Sequence, residues 1–224
     1  IGLDNVLGGT VGAIVSDLGD GKGQHYELDL KQARLVLQAV GWSKGIGVPA
    51  KLSFDLRPTG NGFVVDNMVA TGDGFGFRGK AVLDAKYGLV SAELDKLALR
   101  KGDQISVNLS RKGNGYSIVA RGSSFDVRGL IAQYKASATG PNEAAADISV
   151  DAKVATLIGF NQATLSDAAI IVQARGGVVQ KASLEGMLDK GGISMNFVDS
   201  GDQAELRLNS GDAGSVFRFI DIYS

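Results

Sequence analysis

The sequence predicts a mainly β protein: a long antiparallel meander forming an open sheet, with one or two short helices. Three observations predict it. Apolar and polar residues alternate in segment after segment, as in Ile105-Ser106-Val107-Asn108-Leu109-Ser110, the pattern of strands with one apolar and one wet face. The segments break at glycine turns such as Gly60-Asn61-Gly62 and Gly113-Asn114-Gly115, and short connections make neighbouring strands antiparallel. Glycine numbers 32 while aromatics are only 7% of 224 residues, so apolar contacts must come mainly from Leu, Ile, Val and Ala on pleated strands.

The elements follow in order. From Gly12 to Leu37 the pattern reads strand, turn, strand, with Gly19-Asp20-Gly21-Lys22-Gly23 as the turn and Tyr26, Leu28 and Leu30 on one face. The run from Gly41 through Trp42 to Pro49 interrupts the alternation. Leu52, Phe54 and Leu56 then point one way, and Phe63 and Val65 follow the next turn. Phe75, Phe77, Gly79, Ala81 and Leu83 share a face opposite Arg78, Lys80 and Asp84. Ile105, Val107 and Leu109 continue the apolar side, and Ile118 takes it up after the Gly113 turn.

After Phe125 the beat changes. Val127, Leu130, Ile131 and Tyr134 lie at helical intervals, which predicts a short helix near 126–134. Residues 136–144, with Ser, Thr, Gly140 and Pro141, read as a linker. The expected organisation is a first β unit over 1–135 and a second over 145–224 that continues the sheet. Ile148 and Val150 open the second unit, and Ile193, Met195 and Phe197, then Leu206 and Leu208, carry its alternation. A final helix is expected near 212–223, with Asp212 as cap and Val216, Phe219, Ile220 and Tyr223 on one side.

Composition excludes several functions. Twenty-three basic against 24 acidic residues, without a basic block, give no footprint for nucleic acid. With no cysteine there is no disulfide, thiolate metal site or cysteine nucleophile. No segment reaches the roughly 20 apolar residues of a membrane-spanning helix. The chain starts at Ile1 without a basic or apolar leader and reads as a piece of a longer polypeptide, whose targeting and membrane segments lie outside it.

Motifs for catalysis are weak. Gly74-Phe75-Gly76-Phe77-Arg78-Gly79 spells a dinucleotide fingerprint, but that motif needs a helix after its glycines, and period two continues here. The better reading is close approach of another backbone. His25 is the only histidine and is expected at an exposed polar position beside a turn. Asp17, Asp20 and Glu27 surround that turn without the ligand ladder of a calcium loop. The pairs Asp199 with Asp202 and Asp151 with Asp167 could be cast as glycosidase carboxylates only with a separation that sequence does not supply. Trp42 reads as a packing anchor. No enzyme, cofactor or metal is expected.

Several stretches resemble one family. Leu28-Asp29-Leu30-Lys31-Gln32-Ala33, the run Val40-Gly41-Trp42-Ser43-Lys44-Gly45-Ile46-Gly47-Val48-Pro49-Ala50 and Phe75-Gly76-Phe77-Arg78-Gly79 resemble the AsmA-like envelope proteins of Gram-negative bacteria, in their YhdP-type and TamB-related branch. Ser123 to Ile131 and Asn209 to Arg218 resemble the region leading into the C-terminal part of such proteins. The resemblance implies an internal or C-terminal-proximal fragment of a periplasmic protein anchored to the inner membrane. It also implies a sheet curled like a taco, whose apolar groove lets phospholipid tails pass between inner and outer membranes. No catalytic residues transfer with it.

On that reading Leu52, Phe54, Leu56, Phe63, Val65, Phe75, Phe77, Leu83, Ile105, Val107, Leu109, Ile118, Ile148, Val150, Ile193, Met195 and Phe197 line a groove for phospholipid or fatty-acid acyl chains. Burial of each methylene would supply roughly 0.8 kcal/mol. Periodicity alone favours a different outcome, a sandwich in which apolar faces cover each other; the resemblance reverses the preference. A structural or assembly module acting through sheet-edge pairing is the alternative function, and a carbohydrate-active sandwich the third. Self-association through open sheet edges is also expected.

Overall fold

A computed structural model describes residues 7–19, 21–136, 146–188, 191–201 and 203–222. They form sixteen strands, two short α-helices and one 3-10 turn. By contacts the chain divides into two compact units. The first comprises 1–101 with 106–108, and the second 102–105 with 109–224.

In the first unit β2 (Gly12–Asp17), β3 (Gln24–Asp29), β6 (Ala50–Thr59), β7 (Gly62–Gly72), β8 (Gly76–Asp84) and β9 (Leu89–Ala98) are neighbours in that order, all antiparallel. The strand excluded from this ladder, β4 (Ala33–Leu37), pairs instead with β1 (Leu7–Gly9) and β5 (Trp42–Lys44) in a separate three-stranded sheet. The Trp42 segment that breaks the alternation therefore builds a corner. Its core is Leu30, Ala33 and Ala50, with Leu28, Leu35, Leu52 and Phe75 packed on it. Lys44, 3% exposed, donates from Nζ to the carbonyls of Ala33 at 2.6 Å and Gly45 at 3.0 Å, so its buried ammonium group is satisfied by backbone and ties β5 to the start of β4.

In the second unit β10 (Gln104–Lys112, whose residues 106–108 group with the first), β11 (Gly115–Asp126), β12 (Ile148–Ile158), β13 (Thr164–Arg175), β14 (Val178–Leu188), β15 (Gly191–Asp199) and β16 (Ala204–Ser210) follow in sequence order. The expected all-antiparallel meander is corrected here: β11 and β12 are parallel, Tyr116 pairing with Ile148 and Asp126 with Ile158. A parallel pair needs a long crossover, and helix α1 (Arg128–Ala136) lies on it. The mixed sheet is open in the sense that, among the described residues, β2 and β16 each have one hydrogen-bonded neighbour.

The division differs from the expected one. Strand β11 and helix α1, read from the sequence as part of the first unit, group with the second. Ala136 of the expected linker is the last residue of α1, and 137–144 fall outside the described residues.

Both helices cap one end of the second unit's sheet. Val127 beside α1, and Val216 and Phe219 of α2 (Ala213–Phe219), join Val154, Leu157, Leu165, Leu188 and Ile193 in one cluster with exposures of 7% or less. Leu130, Ile131 and Ile220 pack against it. Tyr134, placed by helical spacing on the same side, is 80% exposed, so within α1 (Arg128–Ala136) it is Leu130 and Ile131 that pack on the cluster. Tyr223 lies outside the described residues. Asp212 caps α2 as expected, accepting from the Ser215 amide at 3.3 Å. The Lys135 ammonium donates to the Asp221 carbonyl at 2.6 Å, tying α1 to the end of α2.

Candidate functional site

In-register neighbours on adjacent strands share a face. In the first unit this produces an unbroken apolar row across six strands: Ala13, Leu28, Leu52, Ala70, Phe77 and Leu97. Leu56, Val65, Ala81 and Ala92 form a second row, and Phe63, Leu83 and Leu89 a third. Phe54 lies at a register irregularity between Ser53 and Asp55, where its ring stacks on Tyr26 at 4.9 Å. Phe63 stacks on Tyr87 at 4.6 Å. Phe75 sits in the turn before β8, and its ring meets Trp42 edge-on at 5.0 Å. Trp42 is the packing anchor expected of it.

Burial along these rows is uneven. Val65, Ala70 and Ala81 are 8% exposed. The larger Phe54, Leu56, Phe63, Phe77 and Leu83 are half-buried and belong to neither core cluster, whereas Leu52, also half-buried, packs against the corner. In β10, Ile105 is buried, while Val107 and Leu109 are half-buried.

The second unit repeats the pattern. Ile118, Val150, Val172, Ala182, Phe197 and Leu206 form one row across six strands, and Ala120, Ala152, Ile170, Leu184, Met195 and Leu208 the next. Of the expected groove positions, Ile193 belongs to the helix-capped cluster; Val150, Met195 and Phe197 are half-buried; Ile148 is 38% exposed. Apolar residues thus continue past the capped end onto an uncovered stretch.

The wet face of the first unit carries the strongest polar constellation. His25 on β3 and Asp55 on β6 are in-register partners, and His25 Nδ1 lies 2.6 Å from Asp55 Oδ1. Asn67 Nδ2 donates to Asp55 Oδ2 at 2.8 Å, and an Arg57 guanidinium nitrogen lies 3.2 Å from the same oxygen. Asp55 is 6% exposed. The hydrogen bond to His25, then that to Asn67, lowers its carboxyl below the usual carboxylate range. Asn67 reaches it from a positive φ of 51°, a conformation asparagine tolerates better than most. His25 is therefore a partner of a buried carboxylate, not the free exposed polar residue expected. The missed residue was Asp55: as the polar beat between Phe54 and Leu56, nothing in the pattern distinguishes it from an exposed aspartate.

The other chemical candidates separate. Strand β8 runs from Gly76 to Asp84 with no helix after the glycines, and a side chain on Gly79 would strike the Glu93 carbonyl. Close backbone approach explains that glycine. Asp151 has Ile171 as its cross-strand neighbour and pairs with Arg121 at 2.9 Å, leaving Asp167 apart from it. Asp199 accepts from the Gly201 amide at 2.8 Å in a turn, and Asp202 lies outside the described residues. So does Asp20, while Asp17 accepts from the amide of Gly19. Among the described residues no group of three His, Asp or Glu side chains is arranged to hold a metal ion, and no helix is long and apolar enough to cross a membrane.

Comparisons with protein-family models, with characterised proteins and with solved structures find no match.

Proposed function

We propose that the chain is a segment of an inner-membrane-anchored periplasmic protein of the AsmA-like kind, and that its apolar β-faces shield lipid acyl chains. In that role it contributes to phospholipid transport between the inner and outer membranes and to envelope integrity. It acts without catalysis or cofactor, through passive burial. One observation carries the reading: rows of apolar residues cross six strands in each unit, and their large side chains stay half-buried, or exposed at Leu206 and Leu208. Acyl methylenes laid along such rows gain roughly 0.8 kcal/mol each.

The test is native mass spectrometry of the purified chain, with solvent extraction and lipid analysis, for the parent sequence and for Phe77→Asp and Val107→Asp. Both positions are half-buried, so the variants are expected to fold, as far-UV circular dichroism checks, and to lose co-purified lipid. A parent chain that stays lipid-free when incubated with phospholipid vesicles rules the reading out, as does full loading of both charged variants.

A second reading, a module that assembles outer-membrane proteins by edge pairing, is favoured by strand β2. It is exposed along its whole length, with Ile14 68% and Val15 49% exposed. Proline at Ile14 should abolish capture of extended peptides and leave lipid loading intact if edge pairing is the activity.

A further inference from the structure

Strand β16 ends the second unit's ladder with β15 as its sole hydrogen-bonded neighbour among the described residues. Its pairing with β15 is regular, without bulge, and it contains no proline. Leu206 and Leu208 terminate two apolar rows that cross five strands before them, yet they are 61% and 49% exposed. Natural edges of this kind are guarded by charge, proline or a bulge. Here the only charges are Glu205 and Arg207, which alternate with the leucines on the opposite face and touch each other, Arg207 Nε donating to Glu205 Oε1 at 2.7 Å.

We propose that the β16 edge is a self-pairing surface: two copies of the chain join antiparallel through β16, in the register that sets Leu206 opposite Leu206 of the second copy. Face alternation removes every register that would set a leucine opposite a charged residue, because a one-residue slip exchanges the faces. Among registers centred within the charged stretch, centring on Glu205 opposes two glutamates and centring on Arg207 opposes two arginines; like charges directly opposite are unfavourable. Centring on Leu206 sets Glu205 of each copy against Arg207 of the other. On the apolar side it sets Leu206 against Leu206 and Ala204 against Leu208. The order of charges along the strand is thus self-complementary in that register, and the contact is two-fold and closed. The apolar row that ends at Leu206 continues through the Leu206 of the second copy. This proposal stands independently of what lies on the apolar face.

The absence of native cysteine makes the register directly readable. Residues opposite each other in an antiparallel pair have Cα atoms about 4.5–5.5 Å apart, within disulfide reach. Under mild oxidation Leu206→Cys should therefore give a covalent dimer, Leu208→Cys alone should stay monomeric, and the double variant Ala204→Cys/Leu208→Cys should cross-link again. By sedimentation equilibrium Arg207→Glu should weaken the dimer roughly tenfold, and the swap Glu205→Arg/Arg207→Glu should restore it. All these side chains are exposed, so far-UV circular dichroism should stay unchanged. A chain monomeric at all concentrations, equal cross-linking at 206 and 208, or a swap no better than the single reversal overturns the proposal.

Discussion

The two units apply one sequence pattern to different ends. In the second, alternating strands meet two helices, and ten apolar residues fall to 7% exposure or less in a single cluster. In the first, the cluster found among the described residues lies at the corner, around Leu30, Ala33 and Ala50. Elsewhere on that face the buried apolar side chains are the small ones, Val65, Ala70 and Ala81, while leucines and phenylalanines stay half-buried. Alternation specifies which face is apolar; a separate element must supply the cover. The second unit therefore carries the larger core, and the first carries more half-buried apolar surface, on ladders interrupted by register shifts at Ser53/Asp55, Val65/Met68 and Arg78/Gly79.

The largest expected effect tests this contrast with one chemistry in two places. Leu165 is 1% exposed inside the second unit's cluster, and Leu165→Ala should cost about 3–5 kcal/mol in urea unfolding, for lost transfer energy plus a cavity. Leu83, half-buried on the first unit's face and outside both core clusters, has less to lose, and Leu83→Ala should cost about 1–2 kcal/mol. Equal losses would mean that the first unit's face is packed as a core, and the contrast would collapse.

A smaller effect comes from the first unit's wet face. Asp55→Asn removes the charge that His25, Asn67 and Arg57 gather around and should cost about 1–3 kcal/mol at pH 7. Because the folded-state carboxyl is depressed, its contribution is complete above the ordinary aspartate range and is lost as pH falls through the depressed value. Urea melts at pH 7, 4 and 3 should show the gap between parent and variant closing on acidification. A gap that stays constant with pH would detach Asp55 from that network.

The same contrast explains what was legible. Strand identity, the short turns, the two helices and the Asp212 cap are local, written in period and in single residues such as the one three before Ser215. The parallel joining of β11 to β12 is not local. It depends on where the chain returns after α1, and alternation in Ile148 and Val150 reads the same for either direction. Diversion of β4 into its own sheet was hidden for a similar reason, since the apolar run Leu35-Val36-Leu37 reads the same whichever partner it finds. On the candidate face the apolar residues were legible and their degree of cover was not: Val65 and Phe63 belong to one pattern, yet only Val65 is buried.

The smallest effect sharpens the comparison at the rim of the first unit. Tyr87 stacks on Phe63 at 4.6 Å but is 63% exposed, and it holds a positive φ of 60° in the turn between β8 and β9. Tyr87→Gly gives up the stacked pair, worth about 0.5–1.5 kcal/mol. It also relieves a left-handed backbone that costs a non-glycine residue roughly 1 kcal/mol. The turn itself should survive, because Asp84 Oδ1 accepts from the amides of Lys86 and Gly88, which the substitution leaves in place. The two terms oppose, so the midpoint of urea unfolding should barely move, while Phe63→Ala, which loses the stack without relieving the turn, should lower it measurably. If Tyr87→Gly instead cost as much as Leu165→Ala, the ring would be closing the first unit's face as the helices close the second's, and the face would not be open at that end.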